Sequence, residues 1–296
     1  MKSLQRIVRF TSIIMLLLVL ITGNCLAEFG FSENADAVEL AADSVFMLEV
    51  YDSLNQKIGV GSGFVAFDSM TLVTNYHVIE GGTYILAVSD DYKQYILDKV
   101  CAYDKNKDIA LLRFEQSPDV PALKLDGDSE LKRSQPVVAI GSPAGLMNTI
   151  SLGNISAFYK KDGKDWIQFT APISSGSSGG ALFDDKGQVI GITTATYAST
   201  QNINMAVKAK YVVSLYQEWD GKKVVSMNHV TGMPATNIAA ALNEQKNEED
   251  MGKVYVTSSG KKYHNTPYCS KMRNPIELDL LDAIESGYTP CGKCYK

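Results

Sequence analysis

Cysteine and histidine are scarce in this sequence. Its 296 residues include five cysteines and three histidines. Cys25 lies in an N-terminal segment, Cys101 stands alone in the long central region, and Cys269, Cys291 and Cys294 lie close to the C-terminus. This distribution excludes a disulfide-framed scaffold for most of the chain. The central region must be stabilised by an apolar core instead.

The N-terminus lacks an apolar run of full membrane-spanning length. Residues 10–21 are mainly apolar, whereas a spanning helix needs about 20 such residues. Three basic residues precede this run and Cys25-Leu26-Ala27 follows it, which is typical of a secretory signal peptide. We expect cleavage after Ala27 and a secreted, periplasmic or cell-surface protein; an uncleaved N-terminal membrane anchor is the alternative. Asn24 disfavours lipid modification of Cys25, because a small residue is expected there.

Positive charge is in deficit. The chain has 28 Lys and Arg against 33 Asp and Glu, a formal net charge of −5. Residues 1–27 carry three positive charges and no negative charge, so their removal shifts the net charge to −8. An acidic surface argues against non-specific nucleic-acid binding, and we expect no nucleic-acid partner.

The central region, residues 44–220, contains short β-type runs separated by turn signals. The Gly-Gly, Asp-Gly and Lys-Gly steps between the runs are typical of hairpin connections. The spacing predicts an all-β sandwich or barrel, followed by a helix over residues 208–219 with one apolar face. The predicted strands are residues 44–50, 60–67, 71–74, 84–88, 109–114, 137–140, 150–158, 166–170 and 188–194.

Composition changes after residue 220. Residues 237–250 are rich in Ala, Asn, Gln and Glu and offer little to bury, so we interpret residues 221–252 as a linker with one weak helix. Residues 253–296 form a separate small module. Its pattern predicts a strand over residues 254–257 and a short helix around residues 278–284.

Three local sequences together indicate nucleophilic catalysis. His77 follows the predicted strand 71–74, Asp108 precedes the run Ile-Ala-Leu-Leu, and Ser178 stands in Gly-Ser-Ser-Gly-Gly. A serine hydroxyl is a weak nucleophile, so it needs an imidazole to take its proton and a carboxylate to fix the imidazole tautomer. The order His, Asp, Ser is that of the chymotrypsin arrangement. We predict Ser178 as nucleophile, His77 as general base and Asp108 as the residue that orients the histidine.

The loop that carries Ser178, here called the serine loop, must also stabilise an oxyanion. Gly176 accepts backbone angles that are closed to other residues, which lets the amides of Gly176 and Ser178 converge. We therefore predict these two N–H groups as the oxyanion hole.

The same loop matches the G-x-S-x-G pattern of α/β-hydrolases, which would change the fold. In that fold the serine leads from a strand into a helix. Here a strand at residues 181–183, a polar turn and another strand follow the serine. The histidines after the serine, His229 and His264, lie in the predicted linker and tail. We therefore disfavour the hydrolase fold.

A series of further motifs surrounds the predicted triad. In chain order they are residues 61–65, 72–78, 107–112, 141–143, 153–156, 176–180, 191–192 and 202–207. In this order they resemble trypsin-like serine peptidases of the HtrA/Deg type, over residues 45–216. The resemblance implies a chymotrypsin-like double β-barrel, with the site between the barrels, and endopeptidase activity without a cofactor. By position, Ile173 and Met205 would line the pocket for the residue before the scissile bond, and Pro172 stands where basic-specific relatives carry an acid.

The resemblance also sets expectations for substrates and partners. It implies protein or peptide substrates, a small or medium apolar residue before the cleaved bond, and a role in processing or quality control outside the cytoplasm. Too little chain remains for the PDZ domain of typical members, so PDZ-based regulation does not transfer. The alternative is a catalytically latent protease-fold scaffold, tethered to membrane, cell wall or partner through its C-terminal module. Residues 28–43 do not decide the oligomeric state.

The C-terminal module carries a metal-binding pattern. His264, Cys269, Cys291 and Cys294 can complete a tetrahedral zinc shell, because Cys-x2-Cys lets two thiolates bind one ion. Four protein ligands leave no position for water, so the zinc would be structural and would stabilise a module with few large apolar residues. The ending resembles small Ada-type metal-binding modules. A disulfide or a redox Cys-x-x-Cys are the alternatives, and Cys101 is predicted to be a buried free thiol.

Overall fold

A computed structural model describes residues 30–31, 34–196, 202–239, 253–258, 260–264, 269, 274–279, 283 and 286–293. The chain divides into two compact units. Unit 1 comprises residues 1–51 and 57–233, and unit 2 comprises residues 52–56 and 234–296. The predicted signal or anchor segment, residues 1–27, lies outside the described residues. In the described part of the chain, no helix has the length and apolar character needed to cross a membrane.

The first half of unit 1 forms an open half-barrel of eight antiparallel strands. The side chains of Phe46, Leu48, Leu72, Leu112 and Phe114 fill its core. Helix α1 covers Ala35–Ala42, and the short helix α2 covers Tyr76–Ile79. The strands are β1 (Val45–Tyr51), β2 (Lys57–Val65), β3 (Thr71–Thr74), β4 (Tyr84–Val88), β5 (Gln94–Leu97), β6 (Lys99–Asp104), β7 (Ile109–Arg113) and β14 (Val225–Ser226), in the spatial order β14-β6-β7-β3-β2-β1-β4-β5.

The second half of unit 1 is a closed barrel of six strands. Val137, Ile167, Phe169 and Leu182 are buried in its interior. Gly153 permits a close backbone approach, because a Cβ at this position would lie 2.1 Å from the Ala171 nitrogen. The strands are β8 (Pro136–Gly141), β9 (Thr149–Lys161), β10 (Lys164–Phe169), β11 (Ala181–Phe183), β12 (Val189–Thr196) and β13 (Asn204–Lys208), in the spatial order β10-β13-β12-β11-β8-β9.

These two sheets confirm the predicted mainly β fold of two barrels. Strands β3 and β4 have the predicted bounds, while β5 and β6 were not predicted. Strand β5 lies at the sheet edge, where only Leu97 is fully buried. An edge strand needs few apolar residues, and the sequence of β5 therefore shows no clear apolar alternation. In β6 a register shift between Val100 and Ala102 breaks the period-two pattern.

A polar and aromatic cluster fixes the predicted helix against the first sheet. Helix α3 covers Lys210–Glu218, and Arg113 Nη1 lies 2.8 and 3.0 Å from the two carboxylate oxygens of Asp68. The Tyr216 hydroxyl donates to Asp68 at 3.3 Å, and its ring stacks on Phe67 with 3.9 Å between centroids. The helix is thus held by a hydrogen bond from Tyr216 to the ion-paired Asp68 and by ring stacking.

The start of the predicted linker is part of unit 1. Strand β14 pairs with β6, and helix α4 covers Met227–Thr231. Met227 is fully buried and Val230 nearly so, in the core of the first sheet. Two apolar side chains are too weak a sequence signal to predict this docking, so the observed boundary follows residue 233 rather than residue 220.

Unit 2 contains two small two-stranded sheets. Strand β15 (Lys253–Val256) pairs antiparallel with β17 (Ile276–Asp279), and β16 (Lys262–Tyr263) pairs parallel with β18 (Thr289–Pro290). The predicted strand at 254–257 is confirmed within one residue. The predicted helix around 278–284 is wrong at its start, because Leu278 pairs with Val254 in the sheet.

We predict that Asp68→Asn destabilises unit 1 by about 2 kcal/mol near neutral pH, the scale of a lost charge-assisted hydrogen bond. Burial raises the pKa of Asp68, but hydrogen bonds from Arg113, the Met70 amide and Thr71 outweigh it and hold the pKa below its ordinary value. A lowered native pKa gives stability that is present above the unfolded pKa of about 4 and is lost as the pH falls through the native value.

Urea unfolding of wild type and variant at several pH values measures this difference. It should shrink as the pH falls below about 4. Asp128→Asn, at an exposed aspartate, is the control and should leave stability unchanged. A constant difference between wild type and Asp68→Asn down to acid pH would contradict the electrostatic account.

Candidate active site

The structure places His77 and Asp108 in direct contact. Asp108 Oδ2 lies 2.8 Å from His77 Nδ1, and Asp108 Oδ1 accepts the backbone N–H of His77 at 2.9 Å. One carboxylate therefore holds the ring and the backbone of the same residue. This arrangement puts a proton on Nδ1 and leaves Nε2 as an acceptor. The imidazole is 44% exposed and the carboxylate 14%, so the ring faces the open side of the pair.

Asn75 links this pair to the second barrel. It directly precedes α2, makes no side-chain capping bond to that helix, and is fully buried. Its Nδ2 donates to the Asp108 carbonyl at 2.8 Å and to Thr194 Oγ1 at 3.1 Å. Asp108 has a φ of 60°, a left-handed conformation that is uncommon outside glycine. The Asn75 amide therefore secures a strained backbone at the residue that contacts the imidazole.

Ser178 lies on the other side of the same junction. Its Oγ donates to the Thr194 carbonyl at 2.8 Å, so Thr194 contacts both the Ser178 hydroxyl and Asn75. A Cβ added at Gly61 would lie 2.6 Å from Val78, the residue after His77, and 3.3 Å from the Ser178 carbonyl. The histidine helix and the serine loop are therefore separated only by the Gly61 backbone.

The carbonyl groups of the serine loop all have hydrogen-bond donors. The Ser175 carbonyl accepts the Ala144 N–H at 2.7 Å, and the Ser178 carbonyl accepts the Ser62 N–H at 2.7 Å. The other two carbonyls of the loop are bonded by side-chain hydroxyls. Ser62 Oγ donates to Gly176 O at 2.7 Å, and Thr193 Oγ1 donates to Ser177 O at 2.6 Å.

Three backbone N–H groups of this loop have no acceptor among the described residues: those of the exposed Ser175, of Gly176 and of Ser178. The Ser177 N–H donates to Ser174 O at 3.0 Å, and Gly176 has a φ of +95°, as a type II turn requires at its third residue. A Cβ at Gly176 would lie 2.5 Å from Ser142 O, so this position has no room for a side chain.

The two predicted pocket residues lie on segments that touch. Ile173 is half-buried against the core of the second barrel, and Met205 lies in β13 with 8% exposure. The Asn204 amide donates to the Ala171 carbonyl at 2.7 Å, which ties the segment before Ile173 to the strand that carries Met205. Residues 197–201 lie outside the described residues, so the pocket itself stays a prediction.

Sequence reasoning missed four residues that support this site. Ser62 and Asn75 lie in the motifs 61–65 and 72–78, and Thr193 and Thr194 lie in the predicted strand 188–194. None of these patterns indicates a supporting role for the four side chains. All four act through hydrogen bonds to residues more than 15 positions away. Spacing along one sequence carries no signal for such contacts.

The structure also brings together three of the four predicted metal ligands. One ligand atom each of His264, Cys269 and Cys291 lies within 4.8 Å of the others. His264 and Cys291 directly follow the parallel strands β16 and β18, whose register sets Tyr263 beside Pro290, so the sheet delivers both ligands side by side. Cys294 lies outside the described residues.

The donor geometry of this cluster fits a tetrahedral ion. The sulfurs of Cys269 and Cys291 lie 4.0 Å apart, far beyond a disulfide bond and close to the roughly 3.8 Å between two thiolates on one zinc. Burial and the nearby Lys262 lower the pKa of His264, which favours the neutral imidazole that a metal needs.

Cys101 is buried and free, as predicted. Burial raises the pKa of Cys101 to about 12, so its side chain stays a protonated thiol at neutral pH. It is therefore excluded as a nucleophile.

We predict that Gly179→Ala prevents the serine loop from packing against Ser62 and Thr74. Gly179 has a φ of +90°, and a Cβ there would lie 2.0 Å from Ser62 O and 2.3 Å from Thr74 Oγ1. Gly145→Ala is the matched control, since Gly145 also has a positive φ of +79° but open space around its Cβ position. The control should lose about 1 kcal/mol from backbone strain, while Gly179→Ala should lose several. Equal losses in thermal or urea unfolding would contradict a steric role.

Comparison with known proteins agrees with this geometry. Residues 61–192 match the family described as Trypsin-like peptidase domain. The chain is 38% identical over 182 residues to the anti-sigma-I factor RsgI9 of Acetivibrio thermocellus, covering 61% of this chain and 25% of that protein. It is 34% identical over 176 residues to a DegP-like periplasmic serine endoprotease of Marinomonas sp., covering 56% and 37%. The chain thus spans about a quarter to two fifths of the length of these relatives.

Solved structures give the same result. The HtrA-type protease AlgW with a tripeptide matches with a TM-score of 0.56 and 30% identity, over 62% of each chain. A serine endoprotease from Yersinia pestis matches with a TM-score of 0.55 and 26% identity, over 61% of this chain and 64% of that chain. These matches and the resemblance noted from the motifs agree. Unit 1 of this chain is thus similar in sequence and fold to the trypsin-like peptidase domains of HtrA-type proteases.

Proposed function

We propose that this protein is a serine endopeptidase that acts outside the cytoplasm on protein or peptide substrates. Ser178 is the nucleophile, His77 the general base and Asp108 the residue that orients the imidazole. The N–H groups of Gly176 and Ser178 form the oxyanion hole. No cofactor takes part in this chemistry.

The chemistry divides into acylation and deacylation. Ser178 Oγ bonds to the scissile carbonyl carbon while its proton passes to His77 Nε2, and negative charge develops on the former carbonyl oxygen. The imidazolium then gives that proton to the leaving amine as the C–N bond breaks. Water attacks the acyl-enzyme with the same residues in the same roles. Asp108 stabilises the imidazolium through its contact with Nδ1.

One observation carries this proposal: the hydrogen bonding of the serine loop. Each carbonyl from Ser175 to Ser178 has a donor in the protein, and the amides of Gly176 and Ser178 have no acceptor in the part of the chain that the structure describes. A collapsed loop would turn the Ser175 carbonyl into the site and remove the positive φ at Gly176. The loop geometry therefore favours an active enzyme over a latent scaffold.

The Ser178 hydroxyl must rotate before it reacts. Its Oγ donates to the Thr194 carbonyl rather than to His77. Rotation about the Cα–Cβ bond needs no backbone movement, and catalytic hydrogen bonds commonly tighten only when substrate binds. The Thr194 carbonyl thus serves as a resting acceptor for the nucleophile.

Substrate choice follows from the segments around Ile173 and Met205. Both side chains are apolar, and Pro172 supplies no negative charge for a basic residue. We therefore expect cleavage after small or medium apolar residues. The periplasmic relative and the predicted N-terminal signal support a location outside the cytoplasm.

The C-terminal module is proposed to hold a structural zinc through His264, Cys269, Cys291 and Cys294. The zinc would crosslink segments around the two small sheets and stabilise them. It would take no part in hydrolysis, because Cys294 as the fourth ligand would leave no open position for water.

We predict that a fluorophosphonate probe labels the purified protein at Ser178. Ser178→Ala removes the attacked oxygen, and His77→Ala removes the base, so both variants should lose labelling. Asp108→Asn should lower the rate by roughly 10⁴-fold, because the histidine then loses its tautomer and orientation. Mass spectrometry locates the adduct.

Ser175→Ala is the matched control, since Ser175 is an exposed serine of the same loop. It should keep full labelling. A folded wild type without an adduct at Ser178 would overturn the enzyme and favour the latent scaffold, whose partner would then be sought through the C-terminal module.

We predict that the full-length protein contains about one zinc per chain. His264→Ala and Cys291→Ser should each lower the metal content far below stoichiometric, measured by inductively coupled plasma mass spectrometry. His229→Ala, at an exposed histidine of unit 1, is the control and should keep the metal. An intermolecular or intramolecular disulfide in place of zinc, found by mass mapping, would contradict the metal site.

A further inference from the structure

Ser62 is a buried polar residue in the first sheet that the triad does not use. It lies in β2, faces the second barrel and is 0% exposed. A serine hydroxyl in such a place needs partners, because an unpaired buried hydroxyl costs free energy. Its partners lie in the loop that carries Ser178.

The Ser62 hydroxyl joins two segments of the second barrel. It donates to the Gly176 carbonyl at 2.7 Å and accepts the Ser142 backbone N–H at 2.8 Å. Ser142 is also fully buried, and its carbonyl is the atom nearest to a Cβ at Gly176. The Ser62 hydroxyl therefore holds the Gly176 carbonyl close to the segment that contains Ser142.

The Ser62 backbone holds the other end of the loop. Its N–H donates to the Ser178 carbonyl at 2.7 Å. Its carbonyl accepts the Thr74 hydroxyl at 2.7 Å and lies against the Gly179 backbone, where a Cβ would be only 2.0 Å away. The same residue thus contacts the loop at Gly176, Ser178 and Gly179.

We propose that Ser62 is a positioning residue that holds the oxyanion loop in its active form from the opposite barrel. The proposal rests on the function given above. The Ser62 hydroxyl orients the Gly176–Ser177 peptide, and its N–H orients the Ser178–Gly179 peptide. The two peptides flank the one that supplies the Ser178 amide, so fixing both aligns that amide with the substrate oxygen.

The simpler interpretation is that Ser62 only fills and stabilises the core. Ser44 allows the two interpretations to be separated. It is also fully buried in the first half of unit 1, and its hydroxyl donates to the Pro121 carbonyl at 2.7 Å. Ser44→Ala and Ser62→Ala remove the same atom and a donated hydrogen bond of the same length. Ser62→Ala also removes the acceptor of the Ser142 N–H, and it alone of the two removes a contact with the serine loop.

The test compares wild type, Ser62→Ala and Ser44→Ala in the full-length protein. Steady-state hydrolysis of a chromogenic peptide with an apolar residue before the cleaved bond gives kcat and KM. We expect Ser62→Ala to lower kcat by roughly 10–100-fold, less than the loss of an oxyanion donor, with KM changed by less than about twofold. Ser44→Ala should keep kcat although it also loses stability in urea, because it removes a buried hydrogen bond away from the serine loop.

Hydrogen exchange gives a readout that needs no activity. Exchange in a peptide covering residues 174–180 should speed up in Ser62→Ala and stay as in wild type in Ser44→Ala. Equal exchange in the two variants, or an unchanged kcat in Ser62→Ala, would overturn the positioning role. If Ser62→Ala does not fold, Ser62→Cys replaces it, since a thiol nearly preserves the shape but donates only weakly.

Different results refute the proposed enzyme activity and the proposed role of Ser62. A wild type that neither hydrolyses peptides nor reacts at Ser178 refutes the enzyme. The exchange experiment then still decides whether Ser62 positions the loop.

Discussion

The orientation of four consecutive peptide groups in the serine loop is the constraint on which the rest of the site depends. Each carbonyl from Ser175 to Ser178 accepts a hydrogen bond, and three residues supply the donors. Ala144 and Thr193 belong to the second barrel and Ser62 belongs to the first. Because a peptide group has its N–H opposite its carbonyl, fixing the carbonyls also fixes the two amides that face a substrate.

The site also depends on contact between the two halves of unit 1. His77 and Asp108 come from the first sheet, and Ser178 comes from the second barrel. Asn75 bridges them through Asp108 and Thr194, while Gly61 lets the histidine helix approach the serine loop. Neither half holds a complete site. Small backbone shifts at this junction would therefore affect the proposed nucleophile, the proposed base and the proposed oxyanion hole together.

Sequence patterns predicted the strands of this protein better than its contacts. Strands β3 and β4 were predictable because they are short apolar runs between clear turn signals. The glycines around Ser178 made it a candidate nucleophile, and that role stays a proposal. Strand β5 was missed because its exposed position at the sheet edge leaves no alternation, and β6, which lies between β14 and β7, was missed because a register shift breaks the alternation. Docking of Met227 and Val230 was missed because two buried side chains show no periodicity. The roles of Ser62, Asn75 and Thr194 depend on long-range hydrogen bonds, which a sequence without its fold does not display.

The most direct test is a crystal structure of the wild-type protein after reaction with a peptidyl phosphonate, which mimics the tetrahedral intermediate. The account predicts a covalent bond from Ser178 Oγ to phosphorus, with the phosphoryl oxygen about 2.7–3.1 Å from the nitrogens of both Gly176 and Ser178. It also predicts that Ser62 still contacts the Gly176 carbonyl in the adduct. An adduct whose oxygen points away from these amides, or a loop that rearranges to a negative φ at Gly176, would contradict the account.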